Sequence, residues 1–488
     1  MRSCGKGRQR DNHEVYAMTR QEAEALYERG REPTVEVLLD LSARLDEAEE
    51  KLCRNSTNSS SPPSSDPPSV GKSKGEKASM RKRGAQPGHE GKIHELLPED
   101  QVGKIVRCDP AAHCECGGEV EQEEIWHRHQ VIELPKVVPD VSEWQIFKGI
   151  CVQCGRVHYG KLPPGTPTGM LGPRVMAWAA LLCGKFHLSR RLVQEILEGL
   201  LRMRISLGAV SKNEERVSEA LAAPVEEAKA FIQQQAVVHA DETGHKEAGK
   251  AGWMWVAATA FVSVFIIRFS RAGAVAKELL GEGFKGRLVS DRWSAYAWIA
   301  AICRQLCWAH LERDFKKISE RRGHSAEIGN AILVYVHEMW HLWHLFKSGK
   351  RTRSWFQRKM APIRQGIERL LAQGKVCGHS KTERTCKRIL KLKKALWTFV
   401  DQPGVEPTNN LAERILRSYV IWRKMSFGTQ SERGRLFVER IMTVSATCKL
   451  QGRNVFEYVT EAIIAHLNGQ VAPPLLPQDA LDSLAKAA

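Results

Sequence analysis

The sequence predicts a multidomain protein built around a mixed α/β core. The chain has 488 residues, which is more than one hydrophobic core usually supports. Between residues 236 and 309, short apolar runs typical of strands alternate with runs of helical periodicity, as in a mixed sheet. The segments before and after this part have helical or polar patterns. We therefore expect a catalytic or binding core with further domains attached.

Composition and charge narrow the function classes. The chain has 73 Lys and Arg against 56 Asp and Glu, a net charge of +17, which favours a polyanionic partner such as nucleic acid over a merely soluble basic protein. No signal peptide opens the sequence, so we expect the protein in the reducing cytoplasm. The thirteen cysteines are clustered, and in that compartment clustered cysteines indicate metal binding more than disulfide bonds. The longest uncharged apolar run, residues 251–267, is short for a membrane span and indicates two strands.

The N-terminal part predicts a short coiled coil followed by a flexible basic linker. Between residues 34 and 54 apolar residues recur at steps of three and four, as on one face of a coiled coil: Leu38, Leu41, Leu45, Ala48 and Leu52. A short helix packed on its own protein is the alternative. Residues 55–95 are rich in Ser, Pro and Gly and cannot bury enough surface to fold alone. Their basic side chains either lie on phosphates or are simply solvated.

Two cysteine knuckles in residues 96–165 predict a small zinc-binding β region. Each knuckle is followed by Gly, which lets the chain turn tightly around a tetrahedral metal. The expected zinc ligands are two pairs, with Cys108 or His113 as possible replacements: Cys114 and Cys116, and Cys151 and Cys154. The first pair has C-x-C spacing where C-x-x-C is standard, so the ligand set stays open. The alternative is a set of unmetallated thiols.

A helical region and the core follow. Residues 166–232 predict helices, with a stretch similar to a helix-turn-helix whose break lies near Ser206 and Gly208; a plain helical bundle has the same pattern. In the core we expect two helices, over residues 272–281 and 295–302, and five strands. The strands are expected over residues 236–241, 252–260, 261–270, 286–291 and 304–310.

The helices after the core carry the strongest charge. From Lys350 to Lys394 there are fifteen Lys or Arg against two Glu, which favours phosphate contact over a solvated helix face. The residues expected to bind DNA here are Lys387, Arg388, Lys391 and Lys394. A further helix begins near Thr408 or Asn409, either of which suits the N-cap.

Three acids form a candidate metal site. Two predicted strands end on Asp241 and Asp291, and Glu413 lies on the helix that begins near residue 409. Converging carboxylates prefer Mg²⁺ or Mn²⁺, and two such ions can promote displacement at phosphorus. Taken singly, each acid has another explanation. Asp241 suits a turn, Asp291 can cap a helix, and Glu413 can pair with Arg417.

Several short stretches along the chain match those of a known protein family. They are "NSTNSSSPPSSD", "RGAQPGHEG", the cysteine knuckles, "ADETG", "SDRWSAY", "CWAHLERDF" and "EPTNNLAERILR". With these the sequence resembles bacterial DDE transposases of the insertion sequence 66 family. The resemblance implies a ribonuclease-H-like core with Asp241, Asp291 and Glu413 as the catalytic, metal-binding triad, an N-terminal zinc-binding region and a helical insertion between the second and third acids. The separations agree, being 50 residues and then 122.

The expected activity is that of a DNA transposase. Such an enzyme uses Mg²⁺ or Mn²⁺, as two ions, to cleave element ends and join the 3′-hydroxyls to target DNA. Partners would be double-stranded DNA, a second copy of the chain and accessory proteins of the element, with no membrane. We expect a cytoplasmic, nucleoid-associated protein. The alternatives are a metal-dependent nuclease of the same fold, or a catalytically silent zinc-containing DNA-binding regulator.

Further residues around the triad are candidates for binding or positioning. Residues on the helix of Glu413 are expected to orient phosphates or the glutamate: Asn409, Asn410, Arg414 and Arg417. Arg292 and Tyr296 are further candidates. Cys307 is expected to pack, and His310 to face the acidic cluster; a second metal site there is the less favoured interpretation.

These expectations divide the chain into nine parts. The first three are an N-terminal tail, the coiled coil and the linker, residues 1–33, 34–54 and 55–95. The zinc-binding and helical domains occupy residues 96–165 and 166–232. The two parts of the core are residues 233–320 and 400–450, and the basic helical insertion between them is residues 321–399. A C-terminal helical tail covers residues 451–488.

Overall fold

The computed structural model describes residues 20–41, 95–121 and 124–476. Most of the predicted coiled coil and nearly all of the predicted linker lie outside these residues. By its contacts the chain divides into two compact units. One unit contains Met1–Ala78 with Arg313–Asn330, and the other contains Ser79–Glu312 with Ala331–Ala488.

The described N-terminal residues of the first unit are helical. Helix α1 spans Arg20–Glu28, and residues 31–41 form a second helical stretch. Gly30 separates the two with a φ of 109°, a conformation that is open to glycine and costly for other residues. The hydroxyl of Thr34 donates to the carbonyls of Leu26 and Gly30. These bonds fix the angle between the two helices.

The second unit begins with a region of little regular structure. Apart from one three-residue 3₁₀ turn, its regular elements among the described residues up to 165 are two short antiparallel strands, β1 (Lys148–Ile150) and β2 (Val157–Tyr159). Each cysteine knuckle is closed by backbone bonds. The Cys114 amide donates to Gly118, and the Cys151 amide to Arg156. The expected β region is therefore a small hairpin within mostly irregular chain.

Four helices then precede the sheet, as predicted for residues 166–232. They are α2 (Pro173–Gly184), α3 (Arg190–Leu201), α4 (Leu207–Ala220) and α5 (Ala222–Gln233). The break predicted near Ser206 is confirmed, because Ser206 is the N-cap of α4 and its hydroxyl accepts from the Ala209 amide at 3.1 Å.

A five-stranded sheet forms the centre of the second unit. Its strands are β3 (Val237–Glu247), β4 (Lys250–Ala258), β5 (Ser263–Arg268), β6 (Arg287–Ser290) and β7 (Arg304–Leu306). Their spatial order is β5-β4-β3-β6-β7. Strand β4 is antiparallel to both of its neighbours, whereas β3, β6 and β7 run parallel. Helix α6 (Gly273–Leu280) connects the two groups of strands. The mixed α/β core is therefore confirmed.

Strand β3 is longer than the sequence predicts. It does not end on Asp241 but continues to Glu247, because its second half pairs with β4 after the pairing with β6 ends at His239. A two-residue turn joins β3 to β4. Ala248 and Gly249 both have positive φ, 45° and 81°, which is typical of tight hairpins. Asp241 thus lies where β3 leaves its parallel partner.

The structure also differs from the prediction at the second helix expected in the core. Residues 295–302 do not form an α-helix but two 3₁₀ turns, Ser294–Tyr296 and Ala301–Cys303. Trp293 donates to the Arg271 carbonyl and Tyr296 to Glu242, so tertiary bonds override the helical pattern.

The last strand is shorter than expected as well. Strand β7 ends at Leu306, and helix α7 (Trp308–Ser319) follows immediately. The Trp308 and Leu311 side chains are both buried. Apolar residues therefore continue across the boundary, and the pattern alone does not separate the strand from the helix.

Further helices fill the sequence between α7 and residue 401. They are α8 (His324–Lys347), α9 (Arg353–Gly374), α10 (Ser380–Lys391) and α11 (Thr398–Asp401). The rings of Trp343, Phe356 and Phe399 lie 5.5 to 6.0 Å apart. This aromatic cluster joins α8, α9 and α11 and returns the chain towards the sheet.

Three C-terminal helices complete the second unit: α12 (Asn410–Ser426), α13 (Glu432–Leu450) and α14 (Val455–Leu467). Helix α13 covers the edge strand β5. Its Thr443 and Thr447 hydroxyls accept from the β5 amides of Phe265 and Ser263 at 3.0 and 3.1 Å. These bonds satisfy an edge that would otherwise be open to another strand. No helix in the described part of the chain is both long and apolar enough to cross a membrane.

Candidate active site

Asp241 and Asp291 occupy equivalent positions on neighbouring strands. In the parallel pairing of β3 with β6, Val237 lies opposite Arg287 and His239 opposite Val289. This register is an offset of 50 residues, so Asp241 falls level with Asp291, one residue after β6. Paired strands lie about 4.8 Å apart, and in-register side chains share a face of the sheet. The register therefore places the two aspartates level with each other just beyond the parallel pairing.

Each aspartate is held by a backbone hydrogen bond at one oxygen. Oδ1 of Asp241 accepts from the Glu242 amide at 2.9 Å, and Oδ1 of Asp291 accepts from the Trp293 amide at 2.8 Å. Behind Asp291, the buried Arg304 donates to its carbonyl at 3.1 Å. These bonds fix the backbone of the loop after β6 and with it the direction of the carboxylate.

Glu413 lies in the first turn of α12, close to the loop after β7. Its Oε1 is 3.5 Å from Nδ1 of His310 and 3.8 Å from Sγ of Cys307. Cys307 follows β7 as Asp291 follows β6, because Ser290 pairs with Leu306. Glu413 thus lies beside His310 and Cys307. Among the described residues it forms no ion pair with Arg417, which the simplest helical alternative suggests.

The start of α12 is tied directly to the strand of Asp241. Asn409 precedes the helix, but its side chain does not cap it. Instead the fully buried amide donates to the carbonyl of Ala240 at 2.8 Å, and the Asn409 backbone amide donates to the Cys307 sulfur at 3.2 Å. Asn409 therefore positions the helix and has no surface to offer to DNA.

The pKa of Asp241 reflects the shared site. Burial of the carboxylate raises this pKa well above its usual value, and the charges of Glu242, Asp291 and Glu413 raise it further. The oxygens of the three predicted ligands do not all lie within 4.8 Å of one another. They nevertheless form a group of hard oxygen donors that repel one another, and a divalent cation would remove that repulsion. The donor set therefore fits Mg²⁺ or Mn²⁺.

Glu242 is a site residue that sequence reasoning missed. Its side chain is buried and accepts from the Arg271 guanidinium at 2.7 Å and from the Tyr296 hydroxyl at 2.7 Å. The Arg271 guanidinium is stacked between Trp253 and Trp293, 4.5 and 3.7 Å from the ring centres. The adjacent acids in "ADETG" were the available signal, but the partners come from distant segments.

The other predicted contact residues lie at the surface. Asn410, Arg414 and Arg417 are exposed on α12, whereas Tyr296 is buried against Glu242. The four basic candidates are also exposed, three on α10 and one on the 3₁₀ turn that follows it: Lys387, Arg388, Lys391 and Lys394. The Lys387 ammonium is 4.0 Å from Glu383, which is too long for a strong ion pair.

The cysteine knuckles are present as two separate pairs. Within each pair the cysteines are hydrogen-bonded, which lowers the pKa of Cys114 and of Cys151. In the described residues, three or more potential ligand atoms come within 4.8 Å of one another at one place, formed by Cys307, His310 and Glu413. A zinc site at the knuckles therefore stays a prediction.

The comparisons with known proteins assign the region of these residues to a family. A model of the Transposase IS66 family matches residues 168–435, which include the three acids. A family of unknown function (DUF6444) matches residues 12–95. Two uncharacterized proteins of Sinorhizobium fredii are similar, y4qI at 28% identity over 39% of this chain and y4jO at 26% over 35%. The matches span 38% and 50% of the length of these relatives.

The family model covers more than half of the chain. It contains the whole sheet, the loop after β7 and the beginning of α12, which are the elements that bring Asp241, Asp291 and Glu413 to one side of the core. The chain therefore belongs to the Transposase IS66 family.

Proposed function

We propose that this protein is a DNA transposase that cleaves the ends of its element and joins the freed 3′-hydroxyls to target DNA. The observation that carries the proposal is the equivalent placement of Asp241 and Asp291 on neighbouring parallel strands, with Glu413 held beside them through Asn409. Phosphoryl transfer needs this kind of site because the enzyme mainly positions oxygens and stabilises charge.

The proposed core is ribonuclease-H-like. The strands follow the chain order β3, β4, β5, β6, β7 and lie in the spatial order β5-β4-β3-β6-β7. Strand β4, the second along the chain, is antiparallel to the others. This order supports the assignment. The helices between β7 and α12 then correspond to the insertion between the second and third acids.

Asp241, Asp291 and Glu413 would hold divalent cations. When bound, Mg²⁺ or Mn²⁺ would supply charge neutralisation at the phosphate and at the attacking and leaving oxygens. The chain's own residues do the rest. Glu242 and Arg271 hold the strand beside Asp241, and Arg304 holds the loop of Asp291. Arg414 and Arg417 are exposed on the helix of Glu413 and would bind the DNA backbone there.

The proposed test is the variant Asp241→Asn. It removes one ligand charge while keeping the shape of the side chain, so folding and DNA binding should persist. Cleavage of element-end DNA should fall by about three decades or more, since several kcal/mol of transition-state stabilisation are lost. The matched control is Asp401→Asn, because Asp401 is an exposed acid on α11. Cleavage by Asp241→Asn within tenfold of wild type would contradict the assignment.

A second assay separates transposition from its two alternatives. A substrate with a pre-cut 3′-end should be joined to target DNA by the wild-type protein. A nuclease of the same fold would cut the uncut substrate but would not join the pre-cut one, and a silent regulator would bind DNA and do neither. Double-stranded DNA, a second copy of the chain, accessory proteins and a nucleoid location are part of this proposal.

The proposal also includes a structural zinc ion at the two cysteine knuckles. Protein purified without chelator should contain about one tightly held zinc per chain, since a structural site holds one ion with four ligands. Cys151→Ser should release this ion.

A further inference from the structure

Cys307, His310 and Glu413 combine three different ligand types at one point. Their ligand atoms all lie within 4.8 Å of one another. The separation is 3.5 Å from His310 Nδ1 to Glu413 Oε1, and 3.8 Å from Cys307 Sγ to the same oxygen. Sulfur, nitrogen and oxygen together suit zinc, whereas Mg²⁺ and Mn²⁺ prefer oxygen alone.

Two of the three ligand separations are close to those of a tetrahedral zinc site. Zinc lies about 2.3 Å from a thiolate sulfur and about 2.1 Å from an imidazole nitrogen or a carboxylate oxygen. At tetrahedral angles such ligands are about 3.4 Å apart for nitrogen and oxygen and about 3.6 Å apart for sulfur and oxygen. The two separations in the structure are within about 0.2 Å of these values, and the third, between Cys307 Sγ and His310 Nδ1, is no longer than 4.8 Å.

Burial and the nearby Glu413 raise the pKa of the free Cys307 thiol to about 11, so a metal would have to displace its proton. One contact would stabilise the metal-bound thiolate. Its sulfur accepts the Asn409 backbone amide at 3.2 Å, and an amide donor stabilises negative charge on sulfur. Cys307 is buried, whereas the side chains of His310 and Glu413 are about one third exposed. An ion can therefore reach the cluster from the side of His310 and Glu413.

We propose that Cys307, His310 and Glu413 form a second metal site, which takes Zn²⁺ and competes with the magnesium site for Glu413. On binding, the S–H bond of Cys307 breaks, the proton passes to solvent and a Zn–S bond forms. His310 binds through Nδ1 with its proton on Nε2. The fourth position is open to solvent. The inhibitory consequence rests on the proposed function, because it assumes that Glu413 serves catalysis.

Cobalt binding tests the site without any assay of activity. Co²⁺ occupies zinc sites, and a thiolate ligand gives it an intense near-ultraviolet charge-transfer band. Wild-type protein should show one more cobalt–thiolate equivalent than Cys307→Ser, because any cobalt at the knuckles is common to both proteins. His310→Gln should weaken cobalt binding at this site by at least about 100-fold, since loss of an outer-shell partner alone costs about 10–100-fold.

Cys448→Ser is the matched control. Cys448 is also buried, and burial raises the pKa of each of the two thiols to about 11. Unlike Cys307, Cys448 is not part of a three-ligand group among the described residues. Its removal should leave the cobalt spectrum and stoichiometry unchanged. If Cys307→Ser does not fold, His310→Gln decides the question. A wild-type cobalt spectrum and affinity in folded Cys307→Ser, or in His310→Gln, overturns the site.

Zinc inhibition tests the consequence separately. In magnesium buffer, about one added equivalent of Zn²⁺ beyond any tightly held ion should slow DNA cleavage at least about tenfold. For Cys307→Ser, compared with its own rate without zinc, the effect should be absent. Equal inhibition of both proteins overturns competition for Glu413. If the protein does not cleave DNA at all, the proposed function fails, but the cobalt result still decides whether the site exists.

Discussion

The Asn409 side-chain amide donates a hydrogen bond to the Ala240 carbonyl over 2.8 Å, which joins the start of α12 to the residue before Asp241. This bond sets the distance between the third acid and the first. Both groups are fully buried, so neither has water as an alternative partner. The bond acts on the site although neither group is a ligand.

Asn409→Ala should therefore lower both stability and activity. The unpaired Ala240 carbonyl costs about 1–3 kcal/mol in the free energy of unfolding, measured by urea denaturation. In the folded fraction kcat for DNA cleavage should fall while KM for DNA stays the same, because the helix of Glu413 is displaced but the DNA surface is not. Asn410→Ala, at the exposed next position, should change stability by less than about 0.5 kcal/mol. A normal kcat in Asn409→Ala would show that this bond does not position Glu413.

The ion pair of Glu242 and Arg271 should matter far more than an exposed one. Arg271→Ala leaves the buried Glu242 carboxylate without its cation, which costs about 3–5 kcal/mol. The double variant with Glu242→Gln should recover part of this loss, because the uncompensated charge is gone. As a control, Arg433→Ala breaks an exposed pair with Glu215 and should cost less than about 1 kcal/mol. Equal costs in the two single variants would contradict this interpretation of the burial.

Acid should destabilise the protein through His245. This imidazole is buried between Tyr419 and Thr429, at 2.6 and 3.0 Å. Burial lowers its pKa from 6.5 to about 4, and the nearby Arg435 and Arg423 contribute to the shift. Because the folded pKa is depressed, the stabilising contribution is complete above pH 6.5 and is lost as the pH falls towards 4.

The expected loss is about 1.4 kcal/mol per pH unit over this window, or about 3 kcal/mol in total. His239, whose pKa burial also lowers to about 4, should add a similar slope. His245→Gln removes one titration, so its stability between pH 6.5 and 4 should fall less steeply than that of wild type. Urea midpoints measured across this range provide the test, with the exposed His337→Gln as control. Parallel curves for wild type and His245→Gln would contradict the prediction.

The sequence could predict the core because its signals are local. Alternating apolar residues and short breaks revealed the five strands, and the positions of Asp241 and Asp291 at the ends of parallel pairing follow from the strand order. The extension of β3 to Glu247 was missed, since it depends on pairing with β4 and not on the strand's own pattern.

The remaining features are tertiary and leave little trace in the pattern. The turns over residues 295–302 replace a helix because Tyr296 reaches the distant Glu242. The sequence predicts that His310 faces the acidic cluster, but the close contact of Cys307 and His310 with Glu413 depends on α12 folding back across about one hundred residues of insertion. Such contacts depend on how distant segments pack against each other. A local sequence pattern does not show which distant residues will be neighbours.

The basic helix α10 should bind DNA through phosphates. Lys387, Arg388 and Lys391 are exposed on it, and Lys394 is exposed on the turn that follows. If these side chains neutralise phosphates, changing all four to Ala should lower the log–log salt slope of DNA affinity by about 0.9 for each phosphate that is no longer neutralised. Binding should weaken alike for all sequences, because phosphate contacts position the duplex and do not read bases.

The control for this variant is a pair of exposed lysines outside the basic helices, Lys250 and Lys285. Changing them to Ala should leave the salt slope unchanged. Since the acids remain intact in the four-residue variant, its cleavage should return in part at low salt or at high DNA concentration. Fluorescence anisotropy across a series of salt concentrations provides the measurement. A four-residue variant with the wild-type slope would refute the phosphate contacts and leave α10 as a solvated surface.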